Sequence, residues 1–364
     1  MFDQDETWEG RERRHRAFWN GTEVERPLTY VIYDAYVDTA LVAAALGEGE
    51  VSPDAIDPEP LLAEYDKLAA AREAIGDDAI AVAEPLLGIP WLEAMAGCQV
   101  IVPDGTSIWP EAPEVVDIEA PILFDAENAW FRRLLTVLHR VTDHAAGRYA
   151  VGLSHLRGPT DILIARFGSE RFFELFYERP DLVERLALQC AELWRRVVEA
   201  EMAIVPAFND GYGVRQFGLW APQRAVWLQD DTSSMMSPRH YRRFFLEPMR
   251  RMSHLPYGVL HLHIGSLHVA EMLSQVPNVR AVNLYFDDPR VTLQKAMPTL
   301  QRLQAAGVPL ILAKTVYEGF SLDEYDEILD GLRARGLSVH LAADSVDAGR
   351  AVMDAVRKRR RATH

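Results

Sequence analysis

Eight short runs rich in Val, Ile, Leu, Ala and Tyr punctuate the chain, at 28–33, 80–84, 150–155, 203–208, 257–263, 280–286, 309–314 and 337–342. Most are continuously apolar rather than alternating, which is the pattern of parallel strands covered on both faces. Between them apolar residues recur at helical spacing, as in Trp130, Phe131, Leu134, Leu135, Leu138 and Val141, and again from Leu182 and Val183 through Leu186, Leu193, Trp194, Val197 and Val198. Ser237-Pro238 offers an N-cap with proline at the first helical position, and Ser321 with Glu324 three residues on fits a capping box. Stripes of this kind are core and carry no chemistry.

Strands alternating with helices predict an α/β protein, a single-domain (β/α)8 TIM barrel with insertions over its C-terminal mouth, because the intervals 85–149 and 209–256 are long. A doubly wound open sheet is the alternative. It would place a glycine-rich phosphate turn after the first strand, where this chain reads Tyr33-Asp34-Ala35-Tyr36. The expected organisation is an N-terminal helical extension over 1–25, the barrel over 26–356 and a basic tail over 357–364.

Charge and composition narrow the function classes. Lys and Arg total 38 against 54 Asp and Glu, a net charge of −16 that argues against nucleic acid and anionic membranes as partners. The basic clusters Arg11–Arg16 and Arg357–Arg361 then read as solvated helix ends. No apolar run approaches the roughly 20 residues of a membrane span, and the acidic Met1–Gly10 lacks the features of a signal peptide, so a cytoplasmic location is expected. The two cysteines, Cys98 and Cys190, form no C-x-x-C pair and suit a reducing compartment as core residues.

Barrel enzymes place chemistry at the C-terminal ends of strands. Those positions hold Asp34 and Tyr36, Glu84, His155 with Arg157, Asn209, Asp210 and Tyr212, His261 and His263, Asp287 and Asp288, Lys314, and Asp344. So many ionisable groups at one mouth point to an enzyme site. The sharpest feature is His261-Leu262-His263. Residues i and i+2 of a strand share a face, so both imidazoles can turn to one ion, and two imidazoles with a carboxylate are a common catalytic zinc set. A metal-free reading, in which one histidine is a general acid and the other binds backbone, stays open beside it. A second feature is the adjacent pair Asp230-Asp231 after Val226-Trp227-Leu228-Gln229, which either tunes a carboxylate, holds a cation or begins a turn.

Several passages resemble the uroporphyrinogen decarboxylase superfamily, which includes the porphyrinogen decarboxylase and the cobalamin-dependent methyltransferases. They are Gly97-Cys98 to Trp109, the Gly158-Pro159-Thr160-Asp161 loop within 152–162, the segment Phe172 to Val183, the block Gln229 to Pro248, and His261 to Gly265 beside the family's His-x-Cys motif. The resemblance spans 25–350 and implies a (β/α)8 barrel and a homodimer. The porphyrinogen decarboxylase carries an Arg-Gln-Ala-Gly-Arg-Tyr loop after its first strand; here Asp34-Ala35-Tyr36-Val37-Asp38 would repel a polycarboxylate. The chain is thus closer to a uroporphyrinogen-decarboxylase-like branch than to that enzyme. In the methyltransferase branch a His-x-Cys pair and a later Cys hold zinc; here His261, His263 and Asp344 at the eighth strand take those places, a set that makes the ion a stronger Lewis acid.

Two enzyme readings follow, with a non-catalytic ligand-binding barrel as a third. In the first, a zinc-assisted methyltransferase or demethylase works on a small molecule with a corrinoid carried by a partner protein; His261, His263 and Asp344 bind the metal, while His155, Arg157, Tyr212 and Asp231 position substrate. In the second, a decarboxylase or lyase without cofactor uses His261 or His263 as proton donor and Asp34 or Asp231 to stabilise a developing cation. Tyr36, Glu84, Trp109 and Asp210 complete the expected substrate contacts.

Overall fold

In the computed structural model, which describes residues 7–32, 39–86, 88–315 and 318–362, seven of the eight apolar runs contain a strand, and with one more at 225–229 they make eight parallel strands. These are β1 (Leu28–Ile32), β2 (Val82–Ala83), β3 (Ala150–Val151), β4 (Ala225–Gln229), β5 (Tyr257–His263), β6 (Val279–Tyr285), β7 (Leu310–Ala313) and β8 (Leu337–Ala342). Six form one parallel sheet in the order β1-β8-β7-β6-β5-β4, and β2 pairs in parallel with β3. The order is compatible with a TIM-barrel-like fold, but among the described residues no ladder joins β1 to β2 or β3 to β4.

Side chains take over where the ladders stop, since a buried backbone N–H must find an acceptor. At the β1–β2 seam, Asp78 Oδ2 accepts from Thr29 N at 2.8 Å and Asp77 Oδ2 accepts from Val31 N at 2.7 Å. Asp78 also binds the Arg14 Nε at 2.6 Å and both terminal nitrogens of Arg26. His15 donates through Nε2 to the Asp78 carbonyl at 2.8 Å and accepts from Trp220 N at Nδ1, so its tautomer is set, and burial holds the ring neutral with its pKa lowered to about 4. Arg11 and Arg14 are therefore buried ion-pair partners and not solvated residues: the helix Trp8–Asn20 lays them against Glu73 and Asp78. The C-terminal helix Val346–Ala362 likewise runs on through the basic segment, where Arg357 donates to the Gly76 carbonyl at 2.8 Å.

The run at 203–208 is not a strand. Helix Pro180–Met202 ends there, Pro206 removes a ladder donor, and Asn209 and Asp210, both at positive φ, reverse the chain. The fourth strand is instead Ala225–Gln229, every residue of it buried. Between them lies a hairpin, Tyr212–Val214 with Leu219–Ala221, absent from the sequence-based expectation. Its Val214, Phe217, Leu219 and Ala221 pack with Trp227, Val259, Ala281 and Ile311 of the strands. Phe217 stacks on Trp227 with centroids 4.8 Å apart, and Arg215 pairs with Glu84 at 2.5 Å. The tip closes on Gly218, at φ +56°, where a Cβ would lie 2.5 Å from that of Ala79.

Both cysteines are buried; burial, reinforced by Glu93, pushes the Cys98 thiol up to about 12. No helix among the described residues is long and apolar enough to cross a membrane.

Candidate metal centre

His261 and His263 sit at the end of β5 on one face, and the register that pairs His261 with Gln229 brings Asp231, two residues past β4, to the same place. Asp231 Oδ1 lies 3.3 Å from His263 Nε2 and 3.9 Å from His261 Nε2. Among the described residues these three are the group whose ligand atoms, all within 4.8 Å of one another, could hold a metal ion. That Oδ1 atom is buried, and the groups facing it are the two imidazoles, His263 at ion-pair distance; an imidazolium or a bound cation answers the buried charge.

The neighbours of each ring fix which nitrogen faces Asp231. Asn283, opposite His261 on β6, donates through Nδ2 to the Ile311 carbonyl at 3.0 Å; its Oδ1 therefore faces His261 Nδ1, at 2.5 Å, and takes that proton. The Nε2 lone pair of His261 is left pointing at Asp231. His263 Nδ1 is held in the same way by Asp287. Imidazoles that donate one N–H to an oxygen while presenting the other nitrogen are the usual arrangement around a protein-bound metal.

The electrostatics follow from burial and from this pairing. Burial lowers His261 to about 4, so it is neutral and ligand-ready. Burial acts the same way on His263, but hydrogen bonds and charge from Asp231 and Asp287 outweigh it and lift the ring to about 10, so without an ion its Nε2 carries a proton toward Asp231 that a bound metal would displace. Asp231 is opposed by burial yet falls below the usual carboxylate range through His263, His261 and Gln229.

Two loops lock the carboxylate in place. Asp230 accepts from Thr160 N at 3.0 Å and from the Tyr241 hydroxyl at 2.5 Å. Asp161 in turn accepts from Asp231 N and Thr232 N, each at 3.0 Å, and from the Thr232 hydroxyl at 2.7 Å. Burial is the main cause that raises Asp161 to about 8 and Asp230 to about 6. Gly158 must be glycine, since a Cβ there would stand 2.1 Å from the Gln229 carbonyl. The Gly-Pro-Thr-Asp loop and the Asp-Asp pair, separate features of the sequence, are thus one interlocked support.

The centre opens into a cavity of about 280 Å³. Of the residues expected from sequence, His155, Arg157, Trp109, Asp231, His261 and His263 line it. Arg157 lies 3.2 Å from buried Glu93, and Trp109 is 58% exposed at the rim. Glu84 is buried just beneath, in a hollow that shares His155, Gln216 and Trp227 with the mouth. Asp210 and Tyr212 are not brought to the centre. They lie at the base of the hairpin, beside Phe208 and Trp220, which pack against Trp8 of the N-terminal helix. Asp344 is also elsewhere: β8 is separated from β5 by β6 and β7, and the residue is exposed, so Asp231 stands in the place expected for it. Asp34 and Tyr36 lie outside the described residues. The supporting groups Gln229, Asn283 and Tyr285 were missed. A polar Asn283 inside the apolar run 280–286 was the available signal.

Behind the mouth, Glu201 is fully buried, with Oε1 accepting from Ser154 N at 3.1 Å and from its hydroxyl. Burial is the main cause that raises this carboxyl from 4.5 to about 7, Ser154 opposing and Glu84 assisting. A carboxyl raised on folding stabilises fully below its unfolded pKa and loses that contribution as pH rises to the folded value. The wild type should therefore lose roughly 3 kcal/mol relative to Glu201→Gln between pH 4.5 and 7. Urea midpoints of the two proteins across that range check it; a difference independent of pH would show that Glu201 does not titrate there.

No protein-family model matches the chain, and no curated protein matches it in sequence. Among solved structures it is similar to a methyltransferase from Methanosarcina mazei, with a TM-score of 0.63 over 96% of this chain and 98% of that one, at 14% identity. The likeness is one of fold.

Proposed function

We propose that the chain is a metal-dependent methyltransferase or demethylase of the uroporphyrinogen-decarboxylase-like barrel type, acting on a small molecule with a corrinoid carried by a separate protein. The observation that carries the metal is the convergence of Asp231 Oδ1 with two imidazole nitrogens, of His261 and His263, their ligand atoms within 4.8 Å of one another. Separations of 3.3 Å and 3.9 Å suit ligands of a tetrahedral zinc, whose edges are about 3.4 Å. The choice of methyl transfer is a fold-level analogy to the methyltransferase whose fold this chain shares.

Zinc bound here would lower the pKa of a coordinated nucleophile and so supply it ionised at neutral pH. The chain's own residues do the rest. Asp231, His261 and His263 hold the ion; Asn283 and Asp287 aim the rings; Arg157 and Trp109 face the cavity where the substrate is oriented. Three protein ligands leave a fourth position for the reacting group.

The experiment supplies free cob(I)alamin as methyl acceptor with a panel of methylated thiols, amines and phenol ethers, and follows methylcobalamin absorbance. Zinc-dependent transfer from at least one donor, lost on chelation, is expected. The competing lyase reading draws on one observation, the His263 ring held between Asp231 and Asp287 as a proton donor. Methyl transfer that survives full chelation would overturn the metal dependence, and metal-free release of carbon dioxide from a carboxylated substrate, with no methyl transfer, would decide for the lyase.

A further inference from the structure

Beneath Asp231 a chain of hydrogen bonds ends on the oxygen that does not face the histidines. Trp227 Nε1, which only donates, gives its proton to Gln229 Oε1 at 3.0 Å. His155 Nε2 contacts the same oxygen, so that nitrogen carries the proton. Burial keeps the ring neutral, its pKa lowered to about 4. With both lone pairs of Oε1 engaged the amide has one orientation, and Gln229 Nε2 donates to Asp231 Oδ2. Oδ2 is thereby occupied, while Oδ1 is left for the imidazole side.

We propose that Gln229 is a positioning residue that makes Asp231 a one-oxygen ligand, so that the centre selects a small four-coordinate divalent ion of the zinc or cobalt class. A carboxylate free to turn can grip a cation through both oxygens, as in calcium sites with six to eight oxygen ligands. The Gln229 bond fixes the carboxylate's rotation with Oδ1 toward the imidazoles and disfavours a two-oxygen grip, which preserves the open coordination position. His155, in this arrangement, acts through Gln229 and is itself a positioning residue. The inference rests on the metal-dependent reading above and adds ion selectivity to it.

The test uses the full chain as wild type, Gln229→Met and Trp227→Phe. Zinc affinity is measured by competition with a chromophoric chelator, and the cobalt(II) forms are compared by visible absorption. Gln229→Met should lose about 10- to 100-fold in zinc affinity, the scale of outer-shell changes at metal sites. Its cobalt absorption should weaken as the carboxylate closes through both oxygens and the coordination number rises. Trp227→Phe removes one donor, keeps a ring on Phe217, and should shift both readouts the same way but less. A folded Gln229→Met with wild-type affinity and an unchanged cobalt spectrum overturns the positioning role while leaving the metal reading intact. A wild-type chain that binds neither ion overturns both. If Gln229→Met does not fold, the same criteria applied to Trp227→Phe decide.

Discussion

His261→Ala and Asp231→Asn should each abolish tight zinc binding and lower turnover by roughly three orders of magnitude, the scale on which loss of a principal electrostatic group is felt. Both side chains converge on one point: Asp231 Oδ1 is 3.9 Å from His261 Nε2, and both groups are held there by neighbours, Gln229 and Asn283. Asp231→Asn keeps the shape but replaces the ligand's charge with an amide. The contrasting substitution is Asp344→Ala, which should leave zinc content unchanged because that residue is exposed and two strands removed. Metal content and turnover of the three proteins, measured side by side, check this. Loss of zinc in Asp344→Ala, or its retention in His261→Ala, would contradict the ligand set.

Asp78→Ala should be the most destabilising single change away from the mouth, costing about 3–5 kcal/mol, as expected when one partner of a buried ion pair is removed. Its carboxylate sits between Arg14 and Arg26, whose side chains are, like its own, almost fully buried, and it also accepts the Thr29 N–H that no ladder satisfies. Burial alone would raise its pKa; the two guanidinium groups and the Thr29 bond hold it well below the ordinary carboxylate range. Its contribution is therefore present above the unfolded carboxyl pKa and is lost as pH falls below about 4. Urea unfolding of wild type and variant at pH 7 reads the cost. A difference below about 1 kcal/mol would mean that Asp78 does not hold the β1–β2 seam.

Much of the framework was legible in the sequence because continuous apolar runs leave little choice but buried parallel strands. The run at 203–208 misled because its apolar count outweighed Pro206 and the Asn209-Asp210-Gly211 turn signal. The true fourth strand, Ala225–Gln229, was masked by the polar residues that follow it. His261 and His263 were readable from the period of a strand. The third ligand was not, because strand neighbours are set by pairing across the sheet: β4 lies beside β5 and β8 does not. Arg11 and Arg14 looked solvated because their partners, Glu73 and Asp78, are more than 60 positions away. The hairpin that carries Gln216 and Phe217 between the strands is invisible locally for the same reason: its packing partners come from five strands.

The central claim is that Asp231, His261 and His263 form a metal centre, and elemental analysis of protein purified without a histidine tag tests it most directly. The account predicts about one equivalent of zinc per chain in the wild type, falling below a tenth in His261→Ala. Wild-type protein holding less than a tenth of an equivalent, and taking up none when zinc is added, would contradict it.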